Sequence, residues 1–223
     1  MPSRVRYQIV FLALVIDMIS YMDRVCISVA APAMRTEFGF SPTRMGAVFS
    51  IFSLSYFLLQ APWGMLADRY GARGIVATAI LLWSGFTALT SMAWNYASLL
   101  VTRLLFGASE AALSPSIASA YGRWIPVSER STAFGAFLSG GRIGGAMAPP
   151  VAAWILARHG WRAMFLAFAG LGAAWSVVWW AYYRNHPREH PGVTEAELKV
   201  IEAGGRSGQV QEERTSLADQ GGS

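Results

Sequence analysis

The sequence predicts an all-α membrane protein of six transmembrane helices, and three observations predict it. Of 223 residues, 54% are hydrophobic and only 14% charged, where soluble domains carry about 25% charge. The apolar residues are gathered into windows: Met45 to Leu66, Gly74 to Trp94 and Ala163 to Tyr183 hold no Asp, Glu, Lys or Arg. Each is long enough to cross a bilayer core of about 30 Å as a helix. Three further windows, Tyr7 to Ala33, Asn95 to Ala120 and Ser131 to Ala157, are apolar apart from one to three charges each. The expected spans are therefore 7–33, 45–66, 74–94, 95–120, 131–157 and 163–183.

The first window could be read as a cleavable signal, because Arg4 and Arg6 precede it and Ala31-Pro32-Ala33 has the small-residue spacing of a cleavage site. Asp17, Asp23 and Arg24 interrupt it and five apolar windows follow, which favours a retained first helix. Ser41-Pro42 opens the second span, Gly71 and Gly74 mark the next turn, and Pro126 marks the fourth loop. The fifth span holds Gly140, Gly141, Gly144 and Gly145 in two four-residue spacings that let helix backbones approach closely, and Pro149-Pro150 is placed to bend it. Trp94, Tyr96, Trp161, Trp179, Trp180, Tyr182 and Tyr183 fall at expected span ends and read as interfacial anchors. After Tyr183 the composition turns polar. Residues 185–203 read as a central-loop segment with a short amphipathic helix, Thr194 its N-cap, Glu197 three residues on, and Leu198 and Ile201 on one face. Residues 204–223 read as a disordered tail.

Charge and composition exclude several classes. A net charge of +5 is carried by arginines in ones and twos between apolar windows, without the basic cluster that nucleic acid requires. Cys26 has no second cysteine to pair with, and His159, His186 and His190 all fall in loops, so neither a metal nor another cofactor is expected. No nucleophile and base pair lies in the spans, which argues against an enzyme. With both ends on one side, eight arginines (4, 6, 69, 73, 123, 130, 184 and 188) share that side against four (35, 44, 158 and 162) opposite. That bias places both termini in the cytoplasm and the chain in an inner or plasma membrane as a multi-pass protein.

The chemistry resides in charges inside the spans. Arg103 and Glu110 are seven residues apart, about two turns, and so share a helix face. Asp17 and Arg24 repeat that spacing in the first span, although Asp17 also reads as a solvated residue near the span's end. A charge facing lipid at mid-depth costs about 2.5 kcal/mol or more, so these groups face a bundle interior or a watery cavity. A fixed cation open to water is a seat for a substrate carboxylate, and a carboxylate two turns away can carry a proton. The alternative is a static ion-pair network. Arg142, alone in the fifth span, either lines the cavity or pairs with a carboxylate.

The loop "GMLADRYGARG" places Gly64, Asp68, Arg69, Gly71 and Arg73 at the spacing of the major facilitator signature between helices two and three. Within that superfamily the chain resembles the anion:cation symporter family of sugar-acid, hexuronate and organic-anion transporters. The stretches "SYMDRVCISVAAPAM", "YFLLQAPWGMLADRYGARG", "RLLFGASEAALSPSIASAYGRWIP" and "GWRAMFLAFAGLG" carry the likeness, with Ser20 where the family usually has asparagine. The resemblance implies the N-terminal half of a major facilitator fold and a secondary active transporter for proton-coupled symport. It implies Arg24 and Arg103 as cavity cations, Tyr21, Tyr56 and Gln60 as polar substrate contacts, and Asp23 and Glu110 as proton-coupling carboxylates. Gly64, Asp68, Arg69, Gly71 and Arg73 would form the gate. The partners implied are a small organic anion, protons, the lipid bilayer and a second six-helix half, on the same or another chain. A half-transporter needing a partner chain and a non-transporting membrane fragment are the alternatives.

Overall fold

A computed structural model describes residues 4–203. Six α-helices make up nearly all of it: α1 (Val5–Phe38), α2 (Pro42–Tyr70), α3 (Ala72–Ser91), α4 (Tyr96–Glu110), α5 (Leu113–Trp124) and α6 (Val127–Tyr182). Four helical stretches are long and apolar enough by themselves to cross a membrane: Pro42–Tyr70, Ala72–Ser91, Tyr96–Trp124 and Val127–Tyr182. Helix α1 matches them in length but carries Asp17, Asp23 and Arg24 within its apolar run.

Local chemistry explains most of the boundaries. Gly39 ends α1 in the left-handed conformation (φ 67°), its N–H donating to Arg35 O, the conformation a glycine reaches without Cβ strain. Ser41 caps α2 by accepting the Arg44 N–H, with Pro42 in the first turn. Gly71 turns the chain into α3 at φ 88°, where a Cβ would also overlap the Asn185 side chain. Asn95 and Ser98 form a reciprocal capping box at the start of α4.

One boundary differs from the sequence expectation. The span expected over 95–120 is two helices, broken at Ala111-Ala112 immediately after Glu110. Pro115 supplies the reason, since its ring would clash with the carbonyl four residues back in an unbroken helix. The windows 131–157 and 163–183 fall on the two limbs of α6, residues 127–159 and 161–182, which are separated at Gly160, where φ 80° and ψ 168° are not helical.

Helix α1 packs chiefly on α6, α3 on α6 and α4, and α2 on α4. The first half of α1 (Ile9, Ile16) joins Ile80, Trp83, Phe106, Trp124 and Phe137 in one core, and its second half (Cys26, Met34) joins Val48, Leu99 and Phe165 in another. The tightest approach is between α1 and α6, where a Cβ at Gly140 or Gly144 would collide with the backbone of Leu14 or Met18. Helix α2 contributes only Met45, Val48, Ser55 and Ala67 to the interior and leaves Leu54, Phe57, Leu58 and Met65 exposed. Of the rings expected at the interfaces, Trp94 and Trp180 are exposed, but Trp161, Trp179 and Tyr183 are buried. Trp179 stacks on Tyr183 at 4.4 Å, and Trp161 donates to Glu37 at 2.8 Å. These rings hold the bundle together instead of anchoring it in lipid.

The segment after α6 is strapped to the bundle. The Trp124 indole donates to Arg184 O at 2.8 Å, and a 3-10 turn (Pro187–Glu189) leads to a helix at 195–203. Thr194 caps it, accepting the Glu197 N–H at 3.4 Å, and Ile201 is buried against the core. The Glu197 carboxylate reaches across to accept the N–H groups of Val5 and Arg6 at 3.3 and 3.2 Å. It thereby serves two donors that the first turn of α1 leaves unpaired. The expected tail, 204–223, lies outside the described residues.

Candidate functional site

Glu110 is the last residue of α4, and the Pro115-induced break leaves its side chain at a corner facing α1. There its Oε2 accepts from Arg24 Nε at 2.9 Å, and Ser20 Oγ donates to Oε1. Glu110 is fully buried, whereas the Arg24 side chain keeps 21% of its exposure. One member of the ion pair is sealed and the other is partly accessible. Aromatic rings surround the guanidinium, with the centroids of Tyr56, Tyr21 and Phe52 at 4.4, 4.9 and 5.4 Å. Such faces attract a cation without neutralising it.

Arg103, two turns before Glu110, is 2% exposed. Its guanidinium lies over Phe106 at 4.2 Å and Phe52 at 5.4 Å, so Phe52 is shared by both arginines. Asp23, also fully buried, interacts electrostatically with Arg103, but neither its oxygens nor Arg103 Nε and Nη1 have a hydrogen-bond partner among the described residues. The two side chains form no ion pair with one another. Gln60, half-buried, lies one turn beyond Tyr56 on α2 and makes no hydrogen bond to this cluster.

Asp17 is buried at 4% exposure, not solvated at a helix end. Its Oδ2 accepts the backbone N–H of Gly141 at 2.8 Å. Arg142, by contrast, is exposed and forms no ion pair among the described residues.

The loop between α2 and α3 gathers its own contacts. Arg123 Nη2 donates to Asp68 O at 3.0 Å. Arg73 donates to Trp180 O at 3.0 and 2.8 Å and lies over the Trp180 ring. Arg69 is exposed beside Tyr70, and a Cβ at Gly64 would press on Pro115 of α5 at 3.3 Å. Arg73 and Gly64 of the motif, with Arg123, therefore join α2, α3, α5 and α6, while among the described residues the Asp68 carboxylate makes no ion pair.

Sequence reasoning missed Ser20 as a donor to Glu110, Phe52 as the ring common to both arginines, and Trp63, whose indole joins α2 to Ala108 O of α4 at 2.7 Å. Ser20 could have been found from its place one turn before Arg24. Nothing in the sequence distinguishes Phe52 from its apolar neighbours. Among the described residues no group of three or more His, Cys, Asp or Glu is placed to hold a metal.

Long apolar helices enclosing a polar, charged interior define an integral membrane protein. The family model described as Major Facilitator Superfamily matches residues 13–218, and the chain belongs to that family. Among curated relatives it is 35% identical over 198 residues to a probable sulfoacetate transporter of Cupriavidus necator, covering 89% of this chain and 46% of that protein. It is 32% identical to a hexuronate transporter of Bacillus subtilis, covering 85% of this chain and 45% of the relative. A D-galactonate transporter of Escherichia coli is 35% identical, with 92% and 47% covered. The chain spans about half the length of these relatives. Among solved structures, a bacterial homologue of the lysosomal transporter Spinster superposes with TM-score 0.74 at 24% identity, covering 83% of this chain and 44% of that one. The proton:xylose symporter XylE superposes with TM-score 0.73 at 15% identity, covering 97% and 54%. These two likenesses establish the fold.

Proposed function

We propose that this chain is the N-terminal six-helix half of a secondary active transporter that moves an organic anion, a sugar acid or other carboxylate, together with protons. The observation that carries the reading is the Arg24–Glu110 pair, an accessible cation bound to a sealed carboxylate at 2.9 Å. An incoming carboxylate competes with Glu110 for the Arg24 guanidinium, whose fork geometry suits it. Once Arg24 turns to the substrate, Glu110 is left buried without its counter-ion, a costly state that a proton relieves. Anion and proton are then bound together, which is the linkage symport needs. Arg103 adds positive potential, and Asp23 is the second carboxylate available to a proton. Tyr21, Tyr56 and Gln60 line the approach to Arg24. The names of the relatives support an anionic substrate, since sulfoacetate, hexuronate and D-galactonate are all carboxylates.

The substrate site in this reading lies between two six-helix halves, the second on the same or another chain, and both termini of this one face the cytoplasm. Asp68, Arg69 and Arg73, with Gly64 and Gly71 at the turns, gate the cytoplasmic end. The test is uptake of radiolabelled D-galactonate and sulfoacetate into proteoliposomes holding this chain together with a second half. Glu110→Gln is expected to abolish accumulation driven by a proton gradient while sparing exchange of anion for anion. Normal uphill accumulation by that variant would remove Glu110 from coupling. Failure of every anion to exchange through the wild type would overturn the transport reading.

A further inference from the structure

Two side chains of α1 meet a single backbone position of α6. A Cβ at Gly141 would stand 2.5 Å from the Tyr21 ring and 2.7 Å from the Asp17 carboxylate. Gly141 also donates its N–H to Asp17 Oδ2 at 2.8 Å. Asp17, Tyr21 and Arg24 follow one another at spacings of four and three residues and so share one face of α1. Tyr21 packs on Gly141 and lies beneath the Arg24 guanidinium, 4.9 Å from it; Arg24 in turn holds Glu110. A continuous series of contacts therefore runs from the backbone of α6 to the ion pair.

Helix approach alone does not explain an aspartate here. Gly140 and Gly144 already let the backbones of α1 and α6 touch, and an alanine or serine at position 17 would suit such an interface. A buried carboxylate within the bilayer is costly, and Asp17 forms no ion pair among the described residues. What it supplies is a strong acceptor at one fixed point, which sets the rotation of α1 against α6. We infer that Asp17 is a positioning residue: by holding the Gly141 N–H it fixes Tyr21 beneath Arg24 and so sets the orientation of the anion-binding guanidinium. This rests on the proposed role of Arg24 in binding the anion.

The test compares Asp17→Ala with Asp17→Asn, which keeps an acceptor oxygen and loses the charge. Both are made in this chain and reconstituted with the second half, using counterflow of D-galactonate as probe. Asp17→Ala is expected to raise KM about tenfold or more with Vmax within about twofold, and Asp17→Asn to return KM to within about twofold of wild type. Wild-type KM in Asp17→Ala, or an asparagine variant as impaired as the alanine, overturns the inference. If Asp17→Ala does not fold, Tyr21→Leu carries the same expected rise in KM, and a wild-type KM there overturns it.

Hydrogen–deuterium exchange separates this inference from the transport reading. Peptides covering 138–145 should exchange faster in Asp17→Ala than in the wild type or Asp17→Asn. Equal rates overturn the junction even if transport is found. A wild type that exchanges no anion overturns the transport reading, while the exchange rates still decide the junction.

Discussion

Arg24 Nε lies 2.9 Å from Glu110 Oε2, joining the middle of α1 to the last residue of α4. Arg103 shares Glu110's face of α4 and Asp17 shares Arg24's face of α1, yet the hydrogen-bonded pair runs between the two helices.

Removing one member of this pair should destabilise more than removing both charges. Arg24→Ala leaves Glu110 buried and uncompensated and is expected to cost about 3–5 kcal/mol. Arg24→Ala combined with Glu110→Gln should recover most of the loss, because the buried carboxylate is removed together with its partner. A double-mutant cycle of thermal unfolding in detergent measures the coupling. Additive losses would show that the pair contributes nothing specific to the fold.

The α1–α6 crossing predicts a graded series of glycine substitutions. Gly140→Ala and Gly144→Ala each set a Cβ against backbone atoms of α1, which cannot swing aside as a side chain can. Each should cost about 1–3 kcal/mol as overpacking. Gly145→Ala meets only Tyr21 Cδ1, at 3.9 Å, an ordinary contact, and should leave stability unchanged. Equal melting temperatures for all three would contradict the crossing.

This crossing also shows what the sequence made legible. Two overlapping small-residue spacings were visible, but spacing alone could not tell that Gly140 and Gly144 admit α1 while Gly141 receives Asp17 and Tyr21. In the same way, the seven-residue interval placed Arg103 and Glu110 on one face of α4, as the structure has them. It could not disclose that Glu110 pairs with Arg24, because the partner comes from another helix and is chosen by tertiary packing. Pro115 was in plain view, and its conflict with a single unbroken span was the available sign that α4 ends at Glu110. Asp17 stayed open between a bundle-interior and a solvated reading for a different reason: burial depends on what covers a residue, and α6 is more than a hundred positions away. The apolar windows were legible because lipid imposes the same requirement all along a span.

The segment at 195–203 should be held to the bundle chiefly through Glu197. Its carboxylate accepts from Val5 and Arg6 N–H and lies 3.8 Å from the Arg6 guanidinium, which also holds Glu129 at the start of α6 at 3.1 Å. Glu197→Ala removes the cap on α1 and should accelerate deuterium exchange at residues 5–9 and make the segment after Tyr183 more sensitive to protease. Glu202→Ala removes an exposed pair with Arg188 and should change neither, since exposed ion pairs contribute about 0–1 kcal/mol. Protection at 5–9 that survives Glu197→Ala would remove the cap from the account.

At the opposite end of α1, Glu37 accepts from both nitrogens of the Arg162 guanidinium fork, at 2.6 and 3.0 Å, and from the Trp161 indole at 2.8 Å. The Arg162 hydrogen bonds, then that of Trp161, hold the Glu37 carboxyl below its ordinary value. The folded protein therefore binds this proton less readily than the unfolded chain does. Its contribution to stability is present above the unfolded pKa of about 4.3 and is lost as pH falls through the lower folded value. Glu37 and Arg162 are both substantially exposed, so solvent screening keeps the effect small. Glu37→Gln should leave melting temperature nearly unchanged at low pH, where the wild type has lost the interaction, and lower it modestly near neutrality. Melting curves of both proteins between about pH 3 and 7 therefore diverge as pH rises. Curves that remain parallel throughout would show that the link from α1 to the Gly160 turn does not depend on the Glu37 charge.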